Sequence, residues 1–266
     1  MRVVGGSNPL VPTISFYIKK METLLLTNDD GYLAEGIRSL KDHLSARYDV
    51  YIVAPDRERS GVSLSITINH PMRIFRVNDK EYVVDGTPTD CINIALQKIM
   101  PHWPDFIISG MNHGENLCED VFFSGTVAGA YIGSLYGVPS MAVSLIDANK
   151  DHRFDFVQSA QITESILKKL LPLKNTDVVY NLNIPSPNNG NILVTSLGFK
   201  RYKPSLVERI DPRGQPYFWL GTGNPSSDGA EGTDLWATSR GNISLSALKY
   251  DLNNTEEKNK LSKIIA

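Results

Sequence analysis

Residues 23–37 read TLLLTNDDGYLAEGI, and this stretch sets the architecture of the chain. Its apolar first half is typical of a buried parallel strand, and a helical pattern follows the acidic junction. Asp29 and Asp30 stand side by side at that junction, just before Gly31. Adjacent carboxylates repel each other, and a strand-to-helix turn requires neither of them. A divalent cation with oxygen ligands would offset the repulsion, so the stretch predicts a metal site at the carboxyl end of a first strand.

The same alternation of strands and helices continues along the chain. Apolar runs predict buried strands at 23–27, 49–54, 105–109, 138–145, 177–183 and 191–196, with paired strands at 70–77 and 81–84. Helical spacing predicts helices at 34–47, 88 to about 100, 125–136 and 153–171. Strands joined by single helices form right-handed βαβ units. The fold class predicted is therefore α/β, with a doubly wound, mainly parallel sheet.

Composition excludes several classes of protein. The 266 residues are 41% hydrophobic and carry a net charge of −2, which gives no basic surface for a nucleic acid polymer. No run of 18 apolar residues is present, so we expect no membrane-spanning segment. Cys91 and Cys118 are too few for a disulfide framework and favour a reducing cytoplasm.

Changes in amino-acid composition divide the chain into three parts. Residues 1–20 hold glycines and prolines without an apolar core, and we interpret them as an N-terminal extension that is disordered or derived from a cloning vector. We predict that residues 21–198 form the core, which carries the metal site. Residues 199–266 form an extended arm or hairpin and a weak terminal helix. The proline- and glycine-rich part at 200–232 is too long for a simple loop, and either packing on a partner subunit or a surface excursion of a monomer accounts for it.

Three polar loops follow strands of the predicted sheet and should meet outside the strands' carboxyl ends. The first supplies Asp29 and Asp30, the second Ser60, and the third Asn112 and Asn116. Carboxylate, hydroxyl and amide oxygens suit Mg²⁺, Mn²⁺ or Ca²⁺, whereas zinc prefers nitrogen or sulfur. Taken alone, an Asp pair after a strand is more often a turn with a helix cap, and the accompanying loops reverse that preference.

Ser124, Gly125 and Thr126 open the helix predicted at 125–136. The free N–H groups and positive dipole end of a helix suit a phosphate. Taken alone, however, the segment is equally well explained as an N-cap.

Several ordered motifs resemble one family, the SurE survival proteins. They are TNDDG with Ala34 and Gly36-Ile37, then APDRERSGVS, DGTPTDC, SGMNHGEN and FSGTVAGA, and later DPRG at 211–214 and GTD at 232–234. The resemblance runs from about Met21 to Tyr250 and implies a Rossmann-like core with an extended C-terminal segment exchanged in a homodimer, sometimes a homotetramer. Relatives often have glycine in place of Cys118 and tyrosine in place of Phe123.

The resemblance also implies an activity and a set of site residues. Members of the family are metal-dependent phosphatases that act on nucleoside 5′- and 3′-monophosphates, and some cut short polyphosphate. One divalent metal ion, Mg²⁺, Mn²⁺ or similar, would be held by Asp29, Asp30, Ser60 and Asn112. Asn116, Ser124, Gly125 and Thr126 would lie against the phosphate.

The expected reaction is attack on phosphorus by a water, with Asp29 or Asp30 helping to remove its proton. A phospho-aspartyl intermediate is the less favoured variant, because the haloacid-dehalogenase-type phosphatases that form one normally carry acids two residues apart, whereas here Gly31 follows the adjacent pair. A nucleotide-binding or sensing module without turnover is the main alternative function. A dinucleotide-dependent enzyme is disfavoured, since no GxGxxG follows the first strand.

Overall fold

A computed structural model describes residues 21–151, 153–202, 205–221 and 226–265, so the predicted N-terminal extension at 1–20 lies outside the described residues. The strands are β1 (Thr23–Thr27), β2 (Asp49–Pro55), β3 (Ile74–Arg76), β4 (Glu81–Val84), β5 (Phe106–His113), β6 (Ser140–Asp147), β7 (Val179–Ser186), β8 (Ile192–Thr195), β9 (Phe199–Arg201), β10 (Ser205–Ile210), β11 (Pro216–Gly221), β12 (Ser226–Asp228) and β13 (Ile243–Leu248). The helices are α1 (Glu35–Leu44), α2 (Pro88–Ile94), α3 (Gly125–Leu135), α4 (Phe156–Leu170), α5 (Asp234–Thr238) and α6 (Thr255–Ile265).

One mixed sheet organises the chain, in the order β3-β4-β2-β1-β5-β6-β7-β13-β8. The central strands from β4 to β7 are parallel, while β3 pairs antiparallel with β4 and β13 antiparallel with β7. The order reverses direction at β1, because the chain moves to β2 on one side and later to β5 on the other. The predicted doubly wound, mainly parallel α/β sheet is confirmed.

Helices cover both faces of this sheet. On one face α1 packs against α4, and on the other α2 packs against α3. Each face has its own apolar core, one that includes Ile37 and Leu40 of α1, and one that includes Cys91 and Ile92 of α2. The central strands are buried on both faces, as the continuous apolar run of β1 predicts. Fully burying one such leucine contributes about 1.5–3 kcal/mol to folding.

The structure differs from the sequence-based expectations in three elements. The strand predicted at 70–77 is shortened to β3, and the strand predicted to end at Ser109 continues through a bulge to His113. Residues 243–248, which the domain division places in the C-terminal arm, form β13 inside the main sheet. Ser244 and Ser246 alternate with the apolar residues of β13 and are buried, so its sequence does not read as a core strand.

The rest of the C-terminal part is extended. Strands β10 and β11 form an antiparallel hairpin, and β9 pairs with β12 in a second two-stranded ribbon. The expected terminal helix is present as α6, which has no buried residue. Among the described residues, no helix combines the length and apolarity that crossing a bilayer requires.

Helix α1 lies close against β5, which makes Gly36 sensitive to substitution. A Cβ atom there would lie 2.1 Å from the carbonyl oxygen of Met111. Although alanine favours helices, we expect Gly36→Ala to lower the free energy of unfolding by about 2 kcal/mol, the usual cost of overpacking. Gly229→Ala is the control, since its Cβ meets nothing nearer than 4.0 Å. Denaturant unfolding measures both, and a Gly36→Ala protein as stable as the parent would contradict the packing.

Candidate functional site

Three loops and the start of α3 meet at the carboxyl ends of neighbouring strands β2, β1 and β5. The backbone N–H of Arg59, in the second loop, donates to the carbonyl oxygen of Asp29 at 2.7 Å. The backbone N–H of His113, at the end of β5, donates to Oδ2 of Asp30 at 3.3 Å. The hydroxyl of Thr126 in α3 donates to Oδ1 of Asp29. The convergence predicted from the topology is therefore present.

Asp29 lies at the bottom of the site, with only 4% of its surface exposed. Gly125 packs directly against it, because a Cβ on Gly125 would lie 2.9 Å from the Cβ of Asp29. Burial raises the pKa of Asp29 to about 6, the Thr126 hydrogen bond opposes this, and the charge of Asp30 adds to it. The glycine therefore lets the N-terminus of α3 approach a carboxylate that resists ionisation.

Asp30 shares this environment. Burial raises its pKa to about 6, the hydrogen bond from His113 lowers it, and the charge of Glu58 raises it further. The nearby arginines do not compensate either acid: Arg57 and Arg59 pair with Asp56 at 3.9 and 3.0 Å. Within the described part of the chain, the ion pairs include neither Asp29 nor Asp30. Two adjacent carboxylates are thus held without a protein cation.

Ser60 and Asn112 stand on two of the loops around this acidic pair. The exposed hydroxyl of Ser60 donates to Oε1 of Glu58 at 2.9 Å, and Glu58 is close enough to Asp30 to affect its pKa. Asn112 donates through Nδ2 to the carbonyl oxygen of Gly114 at 2.8 Å, and its Oδ1 takes no part in that bond. Both side chains therefore belong to loops that contact the acids.

Asn116 is placed differently from the other candidates. It is buried, and its Nδ2 donates to Oγ of Ser144 at 2.7 Å. Its backbone N–H donates to Oδ1 of Asn183, and its carbonyl oxygen accepts from the side chains of Asn181 and Asn183. This polar network ties the third loop to β6 and β7. Sequence reasoning missed it, because the strand residues that form it look like ordinary core positions.

One of the two interpretations of the start of α3, the N-cap, is observed. Ser124 is the N-cap, and its hydroxyl accepts from the backbone N–H of Val127 at 3.0 Å. The helix carries eleven residues, and its positive end faces the Asp29 carboxylate through Thr126. Capping is thus observed, and phosphate binding by Ser124, Gly125 and Thr126 stays a prediction.

An aromatic cluster flanks the site and was not part of the sequence-based prediction. The ring of His113 stacks on Phe154 with centroids 5.8 Å apart and contacts Phe156 at 5.1 Å. Burial lowers the pKa of His113, which favours the neutral ring. The cluster fixes the backbone of His113, whose N–H contacts Asp30.

The donor atoms fit a hard divalent cation. Two carboxylates without a protein cation, a serine hydroxyl and an amide oxygen are the ligand types of Mg²⁺ and Mn²⁺. In the described ranges, no group of three or more His, Cys, Asp or Glu side chains is arranged to hold a metal ion. Two acids with neutral oxygens beside them agree with an ion that completes its shell with water.

Comparison with known proteins shows the family of this chain. A family model described as "Survival protein SurE" matches residues 24–204. The chain belongs to the SurE family. It is 41% identical to a protein named "5'-nucleotidase SurE" from Pelobacter propionicus over 87% of this chain and 94% of that one. It is 42% identical to the protein of the same name from Vibrio vulnificus, over 86% and 90%.

The solved structures agree with this membership. A crystal structure of the SurE protein from Aquifex aeolicus matches with a TM-score of 0.79 and 36% sequence identity. The match covers 92% of this chain and 100% of that one. The SurE resemblance noted from the motifs is confirmed, and the fold agrees with that of a SurE family member.

The raised pKa of Asp30 predicts a pH-dependent stability in the metal-free protein. Because its folded pKa of about 6 exceeds the ordinary value of 3.8, this group's contribution to stability is complete below pH 3.8 and is lost as pH rises through 6. Asp30→Asn removes that loss, so it should raise the free energy of unfolding at pH 7.5 by up to about 3 kcal/mol.

Denaturant unfolding of chelator-treated parent and variant at pH 7.5 and pH 4 measures this effect. The two proteins should differ at pH 7.5 and unfold with nearly equal stability at pH 4. A variant that is less stable than the parent at pH 7.5 would show that the Asp30 charge is compensated within the fold.

Proposed function

We propose that this SurE family protein is a divalent-metal-dependent phosphatase that hydrolyses nucleoside 5′-monophosphates to nucleoside and phosphate. We extend the proposal to 3′-monophosphates and short polyphosphate. The curated relatives named 5'-nucleotidase support the enzyme class. The observation that carries the proposal is the acid pair Asp29 and Asp30, for which the described residues provide no ion pair. Asp29 is buried and bonded to the start of α3 through Thr126, and Asp30 is half-buried beside it.

The proposed metal ligands are Asp29, Asp30, Ser60 and Asn112. The two acids supply charge, and Ser60 and Asn112 supply neutral oxygens from the loops that contact them. Ser60 can bind the ion through an oxygen lone pair while its hydroxyl hydrogen stays on Glu58, and its exposed position leaves that oxygen accessible. When bound, the cation would polarise a phosphoryl oxygen and lower the pKa of a water.

The proposed phosphate contacts lie at the start of α3. Gly125 and Thr126 present backbone N–H groups at the positive end of the helix dipole, and Ser124 adds a hydroxyl that can donate, since it accepts from Val127. Gly125 allows the closest approach, because it has no side chain above Asp29. Asn116 retains one Nδ2 hydrogen beyond its bond to Ser144, and this hydrogen is its available donor for the phosphate.

Hydrolysis requires that a water oxygen bond to phosphorus while the bond to the nucleoside oxygen breaks. Asp29 or Asp30 accepts the water's proton, and a pKa near 6 suits a general base at neutral pH. The leaving oxygen takes up a proton and departs as the nucleoside hydroxyl. The helix N–H groups share the negative charge that builds up on the phosphoryl oxygens.

The alternative is a nucleotide-binding module without turnover. The geometry favours catalysis, because a module that only binds an anion has no need for two uncompensated acids beside the anion site. Incubation of the purified protein with Mn²⁺ and a nucleoside 5′-monophosphate separates the two functions. Release of phosphate supports the enzyme, and binding without release supports the module.

Substitution of Asp30 tests the assignment of the acids. Asp30→Asn removes one ligand charge and one candidate base, so we expect kcat/KM to fall by at least about 10³-fold, with the fold intact. Ser65→Ala, at an exposed serine outside the site, is the control and should retain full activity. Phosphate release with Mn²⁺ in excess gives the rates. Parental activity in Asp30→Asn would refute the assignment.

We also propose that the arm is an oligomerisation element and that the protein acts in the cytoplasm as a homodimer or homotetramer. Hairpin β10–β11 exposes large apolar side chains, with Leu206 at 60%, Trp219 at 65% and Leu220 at 87% exposure. An isolated two-stranded hairpin is marginally stable, so a covering surface from a second copy would stabilise it. Both cysteines are free, in keeping with a reducing compartment.

A double substitution tests the arm. Leu206 and Leu220 are cross-strand partners, and Leu206→Ser with Leu220→Ser removes the apolar pair without altering the core. We expect the sedimentation mass to fall from that of an oligomer to that of one chain. Glu208→Ser, in the same strand, is the control and should leave the mass unchanged. A parent protein that sediments as a monomer would exclude this role.

A further inference from the structure

One buried lysine lies outside the proposed reaction. Lys200 in β9 has only 6% of its side chain exposed. Its Nζ contacts Oε1 of Glu115 at 2.5 Å and Oδ2 of Asp120 at 2.7 Å. Its backbone N–H donates to Oε2 of Glu119 at 2.5 Å. Lysine is rarely buried unless it is paired, so this position calls for a reason.

The three acids that Lys200 contacts all belong to one segment, residues 114–124, here called the site loop. The site loop joins β5, which carries Asn112, to the N-cap of α3. Its last turn depends on Asp120, whose carbonyl oxygen accepts from the backbone N–H groups of Phe123 and Ser124 at 3.0 and 3.1 Å. Lys200 therefore holds the residue that positions the start of α3.

Other residues from the C-terminal part reinforce this attachment. The hydroxyl of Tyr202 donates to Oδ1 of Asp120. Asp234, which is fully buried, accepts from the backbone N–H of Cys118 at 2.8 Å and from that of Gly198 at 2.7 Å. The site loop is thus fastened along its length to residues that follow the core.

The charges point to the same role. The site loop carries three carboxylates beside the place where a phosphate would bind, and their summed field would repel an anion. Burial lowers the pKa of Lys200, but the hydrogen bonds to Asp120 and Glu115 outweigh this effect and raise it, so the ammonium stays charged. Lys200 is therefore a permanent counter-charge inside the loop.

We propose that Lys200 is a positioning residue for the phosphate: by holding Glu115 and Asp120 it fixes the site loop, places the start of α3, and neutralises acids that would repel the substrate. This role rests on the proposed function for its kinetic readout only. The structural basis is that one buried lysine contacts the loop that joins Asn112, a proposed metal ligand, to the start of α3, the proposed phosphate site.

Lys200→Met tests the role, because methionine keeps much of the side-chain length and removes the charge. KM for a nucleoside 5′-monophosphate and Ki for inorganic phosphate should both rise by about tenfold, since misplacing a binding group by an ångström can cost more than that. The kcat of the folded enzyme should fall as well, because the helix N–H groups also stabilise the transition state, so the rise in KM and Ki is the deciding readout. Lys200→Arg keeps the charge and should restore KM to within about twofold.

A merely structural role gives a different result. Loss of folded protein lowers the apparent kcat and leaves KM and Ki unchanged. Glu164→Gln is the matched control: Glu164 is buried and paired with His43, Arg47 and Lys168, and it joins α4 to the far end of α1. It should lower the melting temperature without moving KM. If Lys200→Met behaves like Glu164→Gln, the proposal is overturned.

Two further measurements keep the test decisive. Tyr202→Phe removes an exposed hydroxyl from Asp120 and should raise KM about twofold to threefold. This variant replaces Lys200→Met in the test if Lys200→Met does not fold.

Calorimetric titration of the Mn²⁺-loaded protein with inorganic phosphate needs no turnover. If the parent protein releases no phosphate, the proposed function fails, and weaker phosphate binding by Lys200→Met than by the parent would still support the positioning role. Equal binding would reject it.

Discussion

The repulsion between two neighbouring carboxylates governs how the site is built. Asp29 is buried and Asp30 half-buried at the end of a central strand, and the nearby arginines are engaged with Asp56. A fold that retains such a pair loses stability when both are ionised, and an external cation relieves that loss. The surrounding loops supply neutral oxygens and helix N–H groups, which suit a cation and an anionic ester held side by side.

The sheet explains why these groups meet. Strands β2, β1 and β5 are parallel neighbours, so their carboxyl ends lie along one edge. The close packing of Gly36 on Met111 and of Gly125 on Asp29 lets helices approach this edge without an intervening side chain. The C-terminal part then returns to the sheet through β13 and fastens the site loop through Lys200. Strand pairing and the contacts of Lys200 therefore connect the C-terminal part to both the core and the site.

Local signals made part of this architecture predictable from the sequence. The apolar run of β1 and the acids after it are adjacent in the chain, and Ser124 before a small-residue helix is a recognisable cap. Strand β13 was missed because Ser244 and Ser246 alternate with its apolar residues, and their burial depends on hydrogen bonds to Thr195 in a distant segment. The burial of Lys200 and the network around Asn116 depend on which distant segments pair, and no local pattern reports that.

Metal binding itself is the sharpest test of a cation site at the paired acids. Calorimetric titration of the chelator-treated protein with Mn²⁺, in parallel with an Asp29→Asn, Asp30→Asn double variant, reports both stoichiometry and dependence on the acids. We predict one ion for each parent chain and no measurable binding to the variant. Equal binding by the two proteins would contradict the proposed site, because the ion would then be held elsewhere.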